Sequence, residues 1–340
     1  MWVGLVMAAG SGVVAALVLV LVLRHAVRFG LVQAPNARSS HVRPTPTGGG
    51  IGIVAGTLFA SLLLFLTGDT WPSVPIFLAA LLIAGLGLWD DVRPIPAALR
   101  LPVQLLVIGA TIAIALPLPA LMTALGWAGP VALLFAVLLL GIGYWVNLFN
   151  FMDGIDGLAG SEAIFMLLAP LALALLTGPA ETSLLFWWPL SVAVGVGVFL
   201  TVNWQPARIL MGDVGSTFLG LLIAIFGLLE IAAGWVSWWE LLILAACFVT
   251  DGTVTIARRA LQRESIITAH RRHAYQWLAR RFASHKRVVL GIGAINIVYL
   301  LPLAVTVHVD PALGPVLALA AYLPLILLAL VAGAGKPEHA

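Results

Sequence analysis

The chain has 340 residues, of which 62% are apolar and only 9% are charged, and its formal net charge is +3. A soluble domain usually carries about 25% charged residues, so an ordinary soluble protein of this length could not cover its surface with polar groups. The high hydrophobicity also excludes intrinsic disorder. Composition therefore indicates an integral membrane protein with several spans.

Eleven apolar segments divide the chain, and each is interpreted as a membrane-spanning helix. A spanning helix needs about 20 apolar residues, and continuous apolar runs exclude an outer-membrane barrel, whose strands alternate. No basic residue precedes the first segment, which favours a retained helix over a signal peptide. We predict a single all-α transmembrane domain over residues 1–340, with segments at 3–23, 51–66, 74–89, 101–116, 130–149, 161–177, 184–203, 216–234, 238–256, 288–307 and 311–333.

The basic residues lie on one side of this arrangement. All 17 Lys and Arg residues fall in the odd-numbered connections between segments or in the C-terminal tail, whereas the even-numbered connections carry only acids. The positive-inside rule then predicts cytoplasmic odd connections and an N-terminus outside. Since the odd connections also hold most of the unusual polar sequence, we expect the active site on the cytoplasmic face.

The first connection, residues 35–50, combines several prolines with His41, two arginines and three consecutive glycines. Prolines and glycines fix turns, and Gly48–Gly50 directly precede a helix, where free backbone N–H groups could meet an anion. The glycines alone favour a flexible linker. His41 and the neighbouring arginines make a substrate site that includes His41 and Gly49 an equal alternative.

Asp90 and Asp91 end the third segment. A charge at membrane depth costs about 2.5–3.5 kcal/mol, less near the interface. Adjacent carboxylates repel each other unless a cation or a base lies close by. We interpret the pair as a divalent-ion or base site, with ordinary loop carboxylates as the alternative. Arg100 follows in the same connection, where a single arginine often serves only to orient the helices.

Asn147, Asn150, Asp153 and Asp156 follow one another at helical spacing around the end of the fifth segment. No Lys or Arg in this connection neutralises the two acids. They therefore need a partner from elsewhere, either a metal ion or a ligand. A solvated helix end is the alternative interpretation.

Asp213 lies between two glycines, directly before the eighth segment. Aspartate is a common N-cap residue, and capping is one explanation. The other is a hard-cation ligand, because Mg²⁺ prefers carboxylate and amide oxygens together with phosphate.

Residues 257–287 form a cytoplasmic basic loop with nine Lys and Arg residues and one acid, Glu264. Such a loop could simply anchor to anionic lipid headgroups. The order His270-Arg271-Arg272-His273 points to a more directed role, because arginine suits phosphate oxygens and histidine can donate to an oxyanion or carry a proton near neutral pH. Asp251, just before this loop, is expected to be structural and to pair with Arg258 or Arg259.

Together these motifs resemble the polyprenyl-phosphate N-acetylhexosamine-1-phosphate transferases, a superfamily that includes the WecA and MraY enzymes. The resemblance covers about residues 35–287 and rests on Pro-Thr-Pro with Gly-Gly-Gly, Asp90-Asp91, the run at 150–159 and Met-Gly-Asp-Val-Gly-Ser at 211–216. The segment at 270–276 is similar to the WbpL-type branch. It lacks the three consecutive histidines of MraY enzymes, which argues against a muramyl-pentapeptide substrate.

The resemblance implies transfer of a sugar 1-phosphate from a UDP-sugar to undecaprenyl phosphate in the bacterial inner membrane, with release of UMP. N-acetylglucosamine is the general expectation for the sugar. The WbpL-like segment favours a 6-deoxy sugar such as FucNAc or QuiNAc, used in O-antigen synthesis. Membrane lipids are further expected partners, nucleic acid is not, and a homodimer is left open.

The resemblance also implies roles for individual residues. Asp213 and Asn150 would hold Mg²⁺, or Mn²⁺ in its place, while Asp90 and Asp91 would face the lipid phosphate. Asp156 would contact the uracil with Asp153 close by, and Arg100 with the Arg271 and His273 group would meet the diphosphate. The catalytic set is Asp90, Asp91, Asp153, Asp156, His270 and His273, and the substrate-binding set is His41, Gly49, Arg100, Asn147, Asp156, Arg271 and Arg272.

Two other classes of function compete with an enzyme. A transporter of a nucleotide-sugar or an ion would also place polar residues on interrupted helices, but near the middle of the membrane rather than at helix ends. A lipid-binding scaffold would explain the basic loop and would leave Asp153 and Asp156 without a partner.

Overall fold

The computed structural model describes residues 1–33, 44–67, 73–265 and 270–337, which are almost entirely helical. A two-stranded antiparallel ribbon pairs β1 (Val32–Gln33) with β2 (Thr45–Pro46), Val32 opposite Pro46. The α-helices are α1 (Trp2–His25), α2 (Gly50–Leu66), α3 (Ser73–Val92), α4 (Ala97–Ala115), α5 (Leu118–Ala124), α6 (Val131–Phe151), α7 (Leu158–Thr177), α8 (Leu184–Asn203), α9 (Asp213–Ala232), α10 (Trp238–Leu244), α11 (Ala246–Leu261), α12 (Ala274–Phe282), α13 (His285–Ala294), α14 (Leu301–Val309) and α15 (Gly314–Ala332).

The predicted all-α membrane fold is confirmed. Within the described ranges, nine helices are long and apolar enough to cross a bilayer, and α10 with α11 forms a tenth, bent span. The 17-residue α2 is apolar but shorter than the others. Each of the eleven predicted segments therefore falls on a helix or on a helix pair.

The ninth predicted segment, 238–256, is not one straight helix. It breaks between α10 and α11, which meet at an angle of 70°. The break falls where a strongly apolar stretch gives way to a half that carries Asp251, Arg258 and Arg259. Hydrophobic periodicity does not reveal such a break, because both halves are helical.

The α9 helix forms the centre of the bundle. In its most apolar window 89% of the residues are buried, against 22% for α4 and for α15. A helix that is apolar on every side is suited to such a position. The N-terminus of α9, where Asp213 lies, is therefore surrounded by other parts of the chain.

The odd-numbered connections meet at one end of the bundle, in agreement with their predicted common side. Backbone and side-chain hydrogen bonds join the first connection to the seventh, the fifth to the seventh, and the fifth to the ninth. The three examples are Leu210 N to the Pro46 carbonyl at 2.8 Å, Gly157 N to Asn203 Oδ1 at 2.9 Å, and Tyr275 Oη to the Phe151 carbonyl at 2.9 Å. We call this end of the bundle the loop-bearing end.

The predicted basic loop at 257–287 contains regular structure. The end of α11, the whole of α12 and the start of α13 lie within it. Helix α12 is amphipathic, with Tyr275 and Ala279 buried and Arg281 and Phe282 exposed. Much of the basic charge is therefore carried on ordered helices at the loop-bearing end.

Candidate active site

Asp91 caps the N-terminus of α9 from a neighbouring helix. Its two carboxylate oxygens accept hydrogen bonds from the backbone N–H groups of Asp213 at 2.9 Å and Val214 at 3.0 Å. N–H groups in the first turn of a helix have no partner within the helix, and a carboxylate there also interacts favourably with the helix dipole. Gly212 has φ +78°, and a side chain there would collide with Asp91. Asp91 therefore fixes where Asp213 stands.

The side chain of Asp213 lies between an amide and a guanidinium group. Asn150 Nδ2 donates to its Oδ1 at 2.9 Å, and Arg100 donates to its Oδ2 at 2.9 Å. Asn150 also donates to Ser216 Oγ at 2.8 Å. Gly212 precedes the first turn of α9 and Asp213 is its first residue, so Asp213 does not cap its own helix. Its carboxylate faces the other connections instead.

Arg100 supplies a cation beside Asp90, one member of the adjacent pair Asp90 and Asp91. Its guanidinium forms ion pairs with both Asp90 and Asp213, and its Nε is buried without a hydrogen-bond partner. Asp90 also accepts a hydrogen bond of 2.6 Å from the backbone N–H of Ile95. Arg100 thus joins the third connection to the start of α9, and its role goes beyond orienting the helices.

Asp153 stands among other acids. It lies between α6 and α7, half-buried, and no hydrogen bond or ion pair of its carboxylate is found among the described residues. Burial raises its pKa well above the usual range, and the negative charges of Asp213, Asp91 and Asp156 raise it further. Such a carboxylate is ready for a cation or for a ligand that donates hydrogen bonds.

Asp156 is held by two parts of the chain that are distant in sequence. It is 5% exposed, and its Oδ2 accepts a hydrogen bond of 3.0 Å from the backbone N–H of Ala207. His285 Nδ1, at the start of α13, lies 3.4 Å from Oδ2 and accepts from the Asp156 backbone N–H at 3.3 Å. Asp156 therefore joins the fifth, seventh and ninth connections. We call Asp90, Asp91, Asp153, Asp156 and Asp213 the acidic cluster, and Asp156 lies at its edge.

Gly49 and Gly50, at the start of α2, have a packing role. The N–H groups of Gly49 and Gly50 donate to the carbonyls of Leu210 and Met211 at 2.8 and 2.9 Å. A side chain at Gly50 would overlap the backbone of Gly215 in α9. The expectation that these two N–H groups are free for an anion is therefore wrong. The glycines instead allow the first connection to pack against the start of α9.

Asp251 caps α12 and positions His273. Its carboxylate accepts from the backbone N–H groups of Ala274 at 2.8 Å and Tyr275 at 2.9 Å, and it lies 3.2 Å from His273 Nδ1. The expected pairing of Asp251 with an arginine of α11 is wrong, because those arginines bond elsewhere. Arg258 donates to the Ala334 carbonyl, and Arg259 pairs with Glu264.

The motif at 270–273 divides into a stacked pair of rings and an ion pair. His270 stacks on His273 with ring centroids 4.9 Å apart. Burial lowers the pKa of His270 to about 3, and the positive charges of its neighbours contribute, so this ring is neutral near pH 7 and keeps a single ring N–H. Arg272 donates to both oxygens of Glu264 at 2.7 and 2.6 Å, and this pairing lowers the pKa of Glu264. Arg271 lies between His270 and Arg272 in the sequence, and its backbone carbonyl accepts a hydrogen bond of 3.1 Å from the Arg280 guanidinium.

Helix α12 is tied to the acidic cluster through Tyr275. Its hydroxyl donates to the Phe151 carbonyl at 2.9 Å, and a side chain at Gly154 would overlap that hydroxyl. Burial raises the pKa of Tyr275, and the charges of Asp251 and Asp153 raise it further. The loop-bearing end therefore gathers acids from three connections next to the histidine and arginine motif.

Comparison with known proteins identifies the family. The profile described as glycosyl transferase family 4 matches residues 73–230. A Bacillus subtilis protein named as a probable undecaprenyl-phosphate N-acetylglucosaminyl 1-phosphate transferase is 30% identical over 297 residues, which cover 82% of this chain and 78% of the relative. The chain belongs to glycosyl transferase family 4.

Two further relatives carry names of the same kind. The decaprenyl-phosphate N-acetylglucosaminephosphotransferase of Mycolicibacterium smegmatis is 29% identical over 84% of this chain and 78% of its own length. The undecaprenyl-phosphate alpha-N-acetylglucosaminyl 1-phosphate transferase of Yersinia pestis is 33% identical over 62% of this chain and 58% of its own. The resemblance drawn from the motifs is thereby confirmed at the level of the superfamily.

In this member of the family, Asn147 does not face the acids. Its Nδ2 donates to Gln104 Oε1 at 3.1 Å and to the Gly143 carbonyl at 2.9 Å, one turn before Asn150. Asn147 and Asn150 share a helix face as predicted, but only Asn150 contacts Asp213. Another predicted substrate residue, His41, lies outside the described residues.

The sequence motifs did not predict the contacts that His285 makes with Asp156 and Gln104 makes with Asn147. Gln104 is a polar residue within an apolar segment and is 1% exposed, so its need for a partner was a usable signal. His285 stands in a basic stretch, Ser284-His285-Lys286-Arg287, where neighbouring charges gave no reason to single it out. Its partner Asp156 is 129 residues away.

Proposed function

We propose that the protein transfers an N-acetylhexosamine 1-phosphate, or its 6-deoxy derivative, from a UDP-sugar to undecaprenyl phosphate at the inner membrane of a bacterium. The names of the relatives support the reaction type and the polyprenyl phosphate acceptor. The observation that carries the proposal is the position of Asp213, at the start of the central helix, with Asn150 on one carboxylate oxygen and Arg100 on the other. Four more acids, Asp90, Asp91, Asp153 and Asp156, belong to the same cluster.

Asp213 and Asn150 are the residues that would hold Mg²⁺ or Mn²⁺. Mg²⁺ commonly binds through one or two carboxylates together with substrate phosphates, and does not require a cage made only of protein. The described residues contain no preformed group of three or more His, Cys, Asp or Glu ligands. Asp153, half-buried beside Asp213, is a further oxygen donor. The ion would offset the negative charge of the sugar nucleotide during transfer.

The protein's own residues would act mainly by position and charge. A phosphate monoester has a second pKa near 6, so the attacking lipid phosphate is largely ionised at neutral pH and a general base is not required. Positioning and electrostatic stabilisation supply most of the catalysis in phosphoryl transfer. Arg100, already held between Asp90 and Asp213, is placed to offset repulsion between the two anionic substrates.

The remaining residues would bind the nucleotide end of the donor. Asp156, fixed by Ala207 and His285, would accept a hydrogen bond from the uracil N–H, and its burial would make this bond selective. Arg271 and His273 lie on the same end of the bundle and, with Arg100, would meet the diphosphate. Because the acids gather at one end rather than at mid-membrane, the arrangement favours an enzyme over a transporter.

The test is a panel of UDP-sugars incubated with purified protein, undecaprenyl phosphate and Mg²⁺, with lipid-linked product detected by mass spectrometry. We expect a product with UDP-GlcNAc or a 6-deoxy analogue, and release of UMP. Asp213→Asn should lower kcat/KM by about 100-fold or more while the protein stays folded. Uptake of a UDP-sugar into proteoliposomes without any lipid-linked product would contradict the proposal.

The route of transfer has its own readout. With direct attack by the lipid phosphate, UMP appears only when undecaprenyl phosphate is present. A stoichiometric burst of UMP without the lipid acceptor would instead indicate a covalent enzyme intermediate.

A further inference from the structure

A lateral cavity of about 370 Å³ lies between α7 and the helix formed by α13, a π-helical segment and α14. Its wall is largely apolar, and the exposed side chains of Ala172 and Ile297 lie on its rim, so it opens on the lipid-facing surface. It begins beside Leu158, two residues after Asp156, and continues along α7 to Ala172. Glu162 and Ala172 are ten residues apart on this helix, so this part of the cavity is about 15 Å long. We call it the trough.

Two buried oxygen atoms in the wall of this cavity have no hydrogen-bond donor. Asn296 Nδ2 donates to Glu162 Oε2 at 2.7 Å, which leaves Glu162 Oε1 and Asn296 Oδ1 without a partner. The two residues are 1% and 2% exposed. Burying a polar atom without a partner is unfavourable, and more so when the group is charged. Both oxygens therefore require a hydrogen-bond donor, which is either a proton on Glu162 or a ligand that donates hydrogen bonds.

Local backbone structure presents Asn296 to this position. Ile295–Leu300 form a π-helical segment inside an otherwise α-helical span. Such segments are rare and often occur where a helix serves a binding or catalytic site. An ionisable side chain inside a membrane span is also expensive and usually functional. The described part of the chain offers no cationic side chain that pairs with Glu162.

The depth of the polar pair agrees with a headgroup. Glu162 is four residues into α7 from the loop-bearing end, a distance of about 6 Å along the axis. A lipid in the same leaflet can bring its headgroup to this depth while its hydrocarbon chain follows the trough. The phosphate of the lipid acceptor does not suit this position, because it is negatively charged and the Glu162 carboxylate would repel it.

We infer that this cavity binds a membrane phospholipid with a primary ammonium headgroup. The ammonium N–H groups donate to Glu162 Oε1 and Asn296 Oδ1, and one acyl chain fills the trough between α7 and α14. Charge-assisted hydrogen bonds of this kind are stronger than neutral ones, and the apolar wall supplies the remaining affinity. The site is separate from the acidic cluster and does not depend on the proposed reaction.

The experiment uses native mass spectrometry of the full chain in detergent with equal amounts of dioleoyl phosphatidylethanolamine and dioleoyl phosphatidylcholine. The two lipids have the same net charge, but only the first has ammonium N–H donors. We expect about tenfold more retained phosphatidylethanolamine, a preference that Glu162→Gln abolishes. The matched control Glu240→Gln, which removes a buried carboxylate near the other end of the bundle, should keep the preference.

A second variant protects the test against misfolding of the first. Ala172→Phe narrows the rim of the trough without touching the polar pair, and should reduce retention of both lipids. Equal retention of the two lipids by the unaltered protein would overturn the inference. It would mean that a proton on Glu162, bonded to Asn296 Oδ1, already satisfies both oxygens. Displacement of bound phosphatidylethanolamine by undecaprenyl phosphate would also overturn it, by assigning the cavity to the acceptor.

Discussion

Both carboxylate oxygens of Asp91 accept hydrogen bonds from α9, and this limits what the side chain can do. An oxygen that already receives a backbone N–H bond is a weaker partner for a substrate, whereas it strongly determines the position of Asp213. The neighbouring Asp90 instead shares Arg100 with Asp213. Two adjacent residues of the same type thus differ in role because their partners differ.

Asp91→Asn should reveal this positional role. Asparagine keeps one acceptor oxygen but places an amide NH₂ against a backbone N–H, so the helix cap weakens. We expect a loss of about 1 kcal/mol in stability, seen as a lower melting temperature in detergent, together with reduced kcat/KM. Loss of activity at an unchanged melting temperature would instead place Asp91 in direct contact with substrate.

Asp153→Asn should stabilise the protein when divalent ions are removed. The raised pKa of Asp153 means that folding favours its protonated form, so its ionisation costs stability as pH rises through that raised pKa. Asparagine removes this cost and the repulsion from the other acids. We expect a melting temperature roughly 2–4 °C above that of the unaltered protein at about pH 8 in EDTA.

The difference in melting temperature between Asp153→Asn and the unaltered protein should shrink as pH falls, because protonation neutralises Asp153 in the unaltered chain. Its activity should likewise decline on the acid side at a higher pH than an ordinary aspartate would produce. An Asp153→Asn variant that melts lower than the unaltered protein at about pH 8 would show that the carboxylate is stabilised by a partner.

At the scale of elements, the site depends on how closely helix ends approach one another. Gly50 of α2 packs directly against Gly215 of α9, and the adjoining N–H groups bond to the seventh connection. The sequence identified the glycines as unusual and left an anion site and a flexible linker as alternatives, because a free helix N-terminus and a packed one have the same composition. Only the fold shows that a second backbone occupies that space.

Gly50→Ala should therefore destabilise the bundle. The added methyl group must displace the backbone of α9, and overpacking of this kind costs about 1–3 kcal/mol. Gly141→Ala is the matched control, since a methyl group at Gly141 in α6 meets no atom and alanine favours a helix by about 1 kcal/mol. Thermal unfolding followed by size-exclusion chromatography measures both. If Gly50→Ala and Gly141→Ala melted at the same temperature, the packing role of Gly50 would be contradicted.

At the scale of the whole molecule, much of the architecture was predictable because a bilayer imposes strong composition rules. The eleven apolar segments and the common side of their odd connections follow from hydropathy and from the positions of Lys and Arg. Partners such as His285 for Asp156, or His273 for Asp251, were not predictable. They are far apart in sequence, and several residues of suitable chemistry lay nearer.

The orientation predicted from charge gives a direct test on intact cells. In a Cys247→Ala background, Glu181→Cys places a thiol in the sixth connection and Arg93→Cys places one in the third. Both positions lie outside the apolar cores of the helices, so labelling reports sidedness rather than burial. With the N-terminus outside, a membrane-impermeant maleimide should label Glu181→Cys in intact cells and Arg93→Cys only after lysis. The reverse pattern would place the acidic cluster on the outer face, where a cytoplasmic nucleotide-sugar could not reach it.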